Sequence, residues 1–147
     1  MTETQKENLV SLARGLVGKP YKYGATLEEA PDYFDCSSLI QYLFKRTGIE
    51  LPRSSILQAT DAKGKEIAPS PDFSNLEAGD LIFTRGTKGR YDDELFGGRK
   101  ISIGHVAVYA GDGDAFHSRR RLGGVTLQPL KELLSEPNYE IVLIKRF

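Results

Sequence analysis

The chain has 147 residues, 39% hydrophobic and 27% charged, a size and balance that point to one domain with its own core rather than a disordered segment. Twenty Lys and Arg offset twenty Asp and Glu, so no global field draws nucleic acid or an anionic membrane, and no apolar run approaches the ~20 residues of a membrane span. One cysteine, Cys36, excludes an internal disulfide and a multi-cysteine zinc site, and two histidines, His105 and His117, leave few reactive side chains.

Residues 1–10 are polar and acidic, without the basic, apolar and small-residue order of a secretory signal. That leaves a cytoplasmic protein, one exported by a non-classical route, or a domain excised from a secreted protein. Leu9, Val10, Leu12, Ala13, Leu16 and Val17 recur at helical spacing and predict a helix over 4–17, stopped by Gly18 and Pro20. Residues 18–35 read as an aromatic-rich loop. A second helix is expected at or just after Asp35, with Leu39, Ile40, Leu43 and Phe44 as its buried stripe and Gly48 beyond its end. Ser54 or Ser55 caps a short third helix running to about Ala62.

The second half changes period. Residues 81–84, 105–110, 115–119, 125–127 and 141–145 read as strands, with a short helix near 130–134. Helices first and strands afterwards predict an α+β fold, its N-terminal helices packed on a C-terminal antiparallel sheet of about five to six strands. Residues 85–104 form a Gly- and charge-rich insertion, and loops of that length are usually functional walls or flaps.

Cys36 has two readings. Free cysteine is commonly a small core residue. At the first turn of a helix, however, unpaired amides and the helix dipole favour a thiolate, the nucleophilic form. Position favours the second, because Cys36 lies off the apolar stripe and beside Ser37 and Ser38. Asp35 would repel a thiolate, so its carboxylate must turn toward backbone amides or a cation.

Alternation along 105–110 places His105, Ala107 and Tyr109 on one strand face, and a three-residue loop at 111–113 would set Ala107 opposite His117 with His105 on the diagonal. A nucleophilic cysteine requires a base and a group that orients the base, and only these two imidazoles are available. His105 is the expected partner of Cys36, and His117 the group that holds the second ring nitrogen of His105. Asp112 and Asp114 read as turn residues rather than calcium ligands, Arg119, Arg120 and Arg121 as a solvated strand end, Asp80 as a turn residue and Pro20 as structural.

Several stretches together resemble the NlpC/P60 cysteine peptidases, a papain-like family: Gly18-Lys-Pro-Tyr-Lys-Tyr-Gly24, Phe34-Asp-Cys-Ser-Ser-Leu39, Gly48-Ile-Glu-Leu-Pro-Arg-Ser-Ser55 with Gln58, Leu76-Glu-Ala-Gly-Asp-Leu-Ile-Phe83, Gly104-His-Val-Ala-Val-Tyr-Ala-Gly-Asp-Gly113 and Phe116-His-Ser118. The resemblance implies one catalytic domain over 1–147 that hydrolyses D-γ-glutamyl–diamino acid bonds in peptidoglycan stem peptides, needing neither metal nor organic cofactor. It implies Cys36 as nucleophile, His105 as base and His117 as orienter. It implies Tyr23 beside the thiol near the oxyanion, and Asp35, Ser37 and Ser55 as the grip on the free amino group of an L-Ala-D-Glu stem. Ser38 and Ala25 stand where the family usually has Gly, and the 85–104 insertion is longer than its common connection. An amidase or other small-molecule hydrolase, a secretion-system toxin with an immunity protein as partner, a phage form of the wall hydrolase, and a non-catalytic binding module are the alternatives. A monomer is expected.

Overall fold

The computed structural model describes residues 1–87, 90–91 and 94–147. Helix α1 spans Glu3–Leu16, and a capping box between Thr2 and Gln5 satisfies its first amides. It ends before Gly18, whose positive φ of 95° no β-carbon obstructs. Helix α2 spans Cys36–Arg46 and begins as expected, directly after Asp35. Asp35 Oδ1 accepts from the Ser38 amide at 2.8 Å, and Ser38 Oγ accepts from the Asp35 amide at 2.9 Å. Ser38 therefore completes a capping box with Asp35. Helix α3 is Ser55–Thr60, capped by Ser54, so Ser55 is the first helical residue rather than the cap.

The strands are β1 (Lys65–Glu66), β2 (Leu81–Thr84), β3 (Arg90–Tyr91), β4 (Ser102–Ile103), β5 (His105–Gly111), β6 (Asp114–Arg119), β7 (Gly124–Pro129) and β8 (Ile141–Arg146), with helix α4 (Leu130–Leu134) between the last two. Six of them form one antiparallel sheet in the order β1-β8-β2-β5-β6-β7, so the fold is α+β with helices on a six-stranded sheet, as the residue patterns predict. β1, β3 and β4 went unpredicted because two residues are too few to show a period.

Alternation gives the sheet two different faces. Val106, Val108, Phe116 and Val125 join Leu9, Ala13, Leu39, Ile40, Leu43 and Phe44 in the main core beneath α1 and α2. The opposite face carries Ile82, Tyr109, Ile144 and Leu130 in one cluster, and Ala107, Ala115, Leu133 and Tyr139 in another. The β5–β6 hairpin keeps the predicted register, Val108 opposite Phe116 and Tyr109 opposite Ala115. Its loop differs from expectation. Asp112 and Gly113, both at positive φ, make a two-residue turn, and the extra residue enters β5 as a bulge between Tyr109 and Gly111.

The 85–104 insertion is partly structured. Residues 88–89 and 92–93 lie outside the described residues, but β3 pairs with β4, Ile101 and Ile103 are buried in the main core, and Arg99 makes a two-pronged ion pair with Glu66 at 2.9 and 3.0 Å. Asp80 is a turn residue that is also buried, where it accepts two hydrogen bonds from the Arg146 guanidinium. No helix among the described residues is long and apolar enough to cross a membrane.

Candidate active site

Three hydrogen bonds, two between backbone groups and one from a side chain, fix the place where α2 begins. The Phe34 amide donates to the Pro20 carbonyl, the Lys22 amide donates to the Phe34 carbonyl, and Ser118 Oγ donates to that same carbonyl at 2.9 Å. Pro20 in turn bridges to Gly124 at the start of β7. The residues just ahead of Cys36 are thus tied to the strand that carries His117 and to its neighbour.

Cys36 is half-buried and packs at the margin of the main core. The backbone amides of Val106 and Ser37 reach its sulfur, and Val106 directly follows His105. The helix terminus does not produce the low thiol pKa expected from the sequence. Burial, then the neighbouring Asp35 carboxylate, push the thiol up to about 11, and the two amides and the Arg53 guanidinium do not offset them.

The two imidazoles meet. His105 Nε2 lies 2.9 Å from His117 Nδ1, and the rings cross edge to face with centroids 5.1 Å apart. Carried one residue beyond the Val108–Phe116 pair, the hairpin's register sets His105 on the predicted diagonal to His117. Both rings are buried, with exposures of 5% and 0%. Burial, His117 and Arg119 hold His105 well below the ordinary histidine pKa. Burial brings His117 down to about 4, with Arg119 lowering it further and its bond to Gln128 opposing. Both rings are therefore neutral near pH 7.

Gln128, Tyr139 and Tyr21, to which sequence reasoning gave no role, complete this environment together with Arg119. Gln128, buried on β7, accepts at Oε1 from His117 Nε2 at 2.8 Å. It lies on the diagonal to His117, whose direct partner is Thr126, and the β6–β7 register was the signal that would have found it. Tyr139 packs edge-on to His105 at 5.6 Å, and Arg119 lies over the Tyr139 ring, 4.4 Å from its centroid, while pairing with Glu136 at 2.7 Å. Arg119 is accordingly no solvated strand end, whereas Arg120 and Arg121 are exposed as expected. Tyr21 is the tyrosine whose phenol feels Cys36 and Asp35, and its pKa is raised by burial and then by those charges. Tyr23 stands at the rim, 71% exposed.

Asp35 already faces a cation of its own chain. Arg53 Nη2 donates to Asp35 Oδ2 at 2.7 Å, its Nη1 to Ser37 Oγ at 2.7 Å, and its Nε to the Ala25 carbonyl at 3.1 Å. The Gly24 amide takes a further place on Asp35 Oδ2. Asp35, Ser37 and Arg53 thus form one hydrogen-bonded group beside Cys36, and Ser55 sits half-buried two residues beyond Arg53. Arg53 lies within the quoted Leu-Pro-Arg-Ser-Ser stretch, so the motif contained it although its partner was not legible.

Comparison with known proteins finds relatives of the chain. A family model described as the NlpC/P60 family matches residues 18–143. The chain is 36% identical over 123 residues to a gamma-DL-glutamyl hydrolase of Bacillus subtilis, covering 82% of this chain and 25% of that protein. It is 32% identical over 124 residues to a gamma-D-glutamyl-L-lysine dipeptidyl-peptidase of Bacillus cereus, covering 84% of this chain and 32% of the relative. The chain therefore spans about a quarter to a third of these two relatives. Among solved structures, an NlpC/P60 family protein of Bacillus cereus superposes with a TM-score of 0.70 at 29% identity, over 97% of this chain and 40% of that one.

Proposed function

Because the chain belongs to the NlpC/P60 family, we propose that it is a cysteine endopeptidase of peptidoglycan stem peptides, cutting the bond between D-γ-glutamate and the following diamino acid. The observation that carries this reading is the Cys36 sulfur at the N-terminus of α2, beside the strand end from which His105 reaches His117. The names of the relatives, a γ-glutamyl hydrolase and a γ-D-glutamyl-L-lysine peptidase, support the choice of linkage.

In this reading Cys36 Sγ attacks the glutamyl γ-carbonyl while its proton passes to His105. Since the thiol and the ring are both neutral at rest, transfer accompanies attack rather than preceding it. The negative charge that moves onto the carbonyl oxygen is met by the Cys36 backbone amide at the head of α2, with the Tyr21 phenol near the sulfur and Tyr23 at the rim. His105 then protonates the leaving amine, and water releases the thioester. His117 keeps the imidazole of His105 in place throughout. Asp35, Ser37 and Ser55 line the glutamyl side. The Arg53 guanidinium already neutralises Asp35, so a stem-peptide amino group reaches that carboxylate only by sharing it with Arg53, while the same guanidinium suits the free carboxylate of the glutamyl unit.

The test is mass spectrometry of defined muropeptides incubated with the wild type and with Cys36→Ala. The expected result, from the wild type alone, is one product ending in L-Ala-D-Glu, with whatever the substrate carries on L-Ala still attached, and one fragment beginning with the diamino acid. Intact muropeptides alongside cleavage of other amides would move the assignment to a different substrate.

A further inference from the structure

The hydrogen-bonded line that begins at His105 does not stop at His117. Gln128 Oε1 accepts from His117 Nε2, and Gln128 Nε2 donates to Glu132 Oε1 at 3.1 Å. Gln128 is buried on β7, and Glu132 is exposed in α4, the helix that directly follows. An ionised carboxylate only accepts hydrogen bonds. Glu132 therefore fixes which end of the Gln128 amide faces outward, and the carbonyl end must face His117.

The proton positions then follow ring by ring. His117 Nε2 must carry hydrogen to donate to Gln128, so in the neutral ring Nδ1 is bare and accepts. His105 Nε2 must carry hydrogen to donate to that Nδ1, so in the neutral ring His105 Nδ1 is bare. That is the nitrogen left free to receive a proton. If the Gln128 amide turned over, its NH₂ would donate to His117 Nε2 and every bond in the line would reverse. His105 Nδ1 would then hold hydrogen and accept nothing.

We infer that Gln128 and Glu132 are positioning residues, a relay from the surface of α4 that sets the tautomers of both histidines and leaves the lone pair of His105 on Nδ1. Its bearing on catalysis rests on the reading of His105 as the base for Cys36. The tautomers themselves do not depend on any substrate.

Because the chain has only two histidines, ¹⁵N-histidine labelling yields four ring nitrogens, and the nitrogen shift of each reports whether it is protonated. The wild type at pH 7.5 should show hydrogen on Nε2 of both rings and bare Nδ1 on both. Gln128→Met removes the acceptor, and Glu132→Gln, at an exposed site, removes the lock on the amide while leaving the core intact. Both should show the reversed tautomers alongside the original ones. Where the muropeptide is cleaved, kcat should fall about tenfold in Gln128→Met, the scale of one buried hydrogen bond, with KM little changed. The exchanged variant Gln128→Glu/Glu132→Gln restores an acceptor toward His117 and a donor behind it, and should restore the wild-type tautomers. Hydrogen on His105 Nδ1 in the wild type would overturn the relay, as would wild-type tautomers in both single variants or reversed tautomers in the exchanged one. A wild type with the expected tautomers that cleaves no muropeptide would instead sink the substrate assignment.

Discussion

Cys36 illustrates how two local effects of opposite sign are settled by magnitude. The first turn of α2 offers unpaired amides, and the amides of Ser37 and Val106 do reach the sulfur. Burial and the adjacent carboxylate outweigh them and push the thiol up to about 11. His105, depressed by burial, His117 and Arg119, is a weak base at rest. A stable thiolate–imidazolium pair would react with iodoacetamide at a rate nearly flat from pH 5 to 9. The neutral pair should instead give an alkylation rate that climbs about tenfold per pH unit between pH 7 and 10, as the thiolate fraction grows. A plateau beginning below pH 7 would contradict it. Cys36, His105 and His117, the proposed nucleophile, base and orienter, stood out in the sequence because cysteine and histidine are few and each sits at a telling position. The Arg53 partner of Asp35 did not, because it lies 18 residues away and only the chain's return over Ala25 brings the two together.

At the scale of elements, the line of functional side chains depends on register. His105, His117 and Gln128 stand on three adjacent strands, each diagonal to the next, on the face that also carries Ala107 and Ala115. The sequence revealed the hairpin and its alternation. It did not reveal that β7 would pair with β6 so as to bring Thr126 and Gln128 alongside His117, because that register is set by the 3₁₀ turn at Arg120–Leu122 and by Gly123 and Gly124. Gly124 is the critical joint. Its φ is 141°, and a β-carbon there would sit 2.0 Å from the Lys19 carbonyl oxygen, against the loop that pins Phe34 ahead of Cys36. Gly124→Ala combines a strained backbone with a backbone clash, so it should destabilise the protein by about 2–4 kcal/mol in urea titration. It should lose activity beyond what stability explains, since the loop and β7 move apart where the nucleophile and the relay are anchored. A variant with the wild-type urea midpoint would show that the contact yields freely.

The whole molecule holds two neutral imidazoles in its interior and a protonated, half-buried thiol at the margin of its core, so its stability must depend on pH in a definite sense. His117 has the ordinary histidine pKa of about 6.5 in the unfolded chain and is brought down to about 4 by burial in the native protein, and His105 is lowered as well. Below pH 6.5 the unfolded chain binds protons that the native state refuses, so stability present above that pH is lost as the pH falls toward 4. The shift at His117 alone corresponds to about 3 kcal/mol. Cys36 acts at the other end: pushed up from the ordinary thiol range to about 11, it removes stability as the pH rises above 9. The melting temperature should therefore be flat from about pH 6.5 to 9 and fall on both sides. Replacing one ring isolates its share. His117→Asn should show a shallower acid limb than the wild type between pH 6.5 and 4.5 in thermal scans, even if it melts lower at pH 7. Parallel curves for the two proteins over that range would mean that the buried imidazoles are not what unfolds this protein in acid.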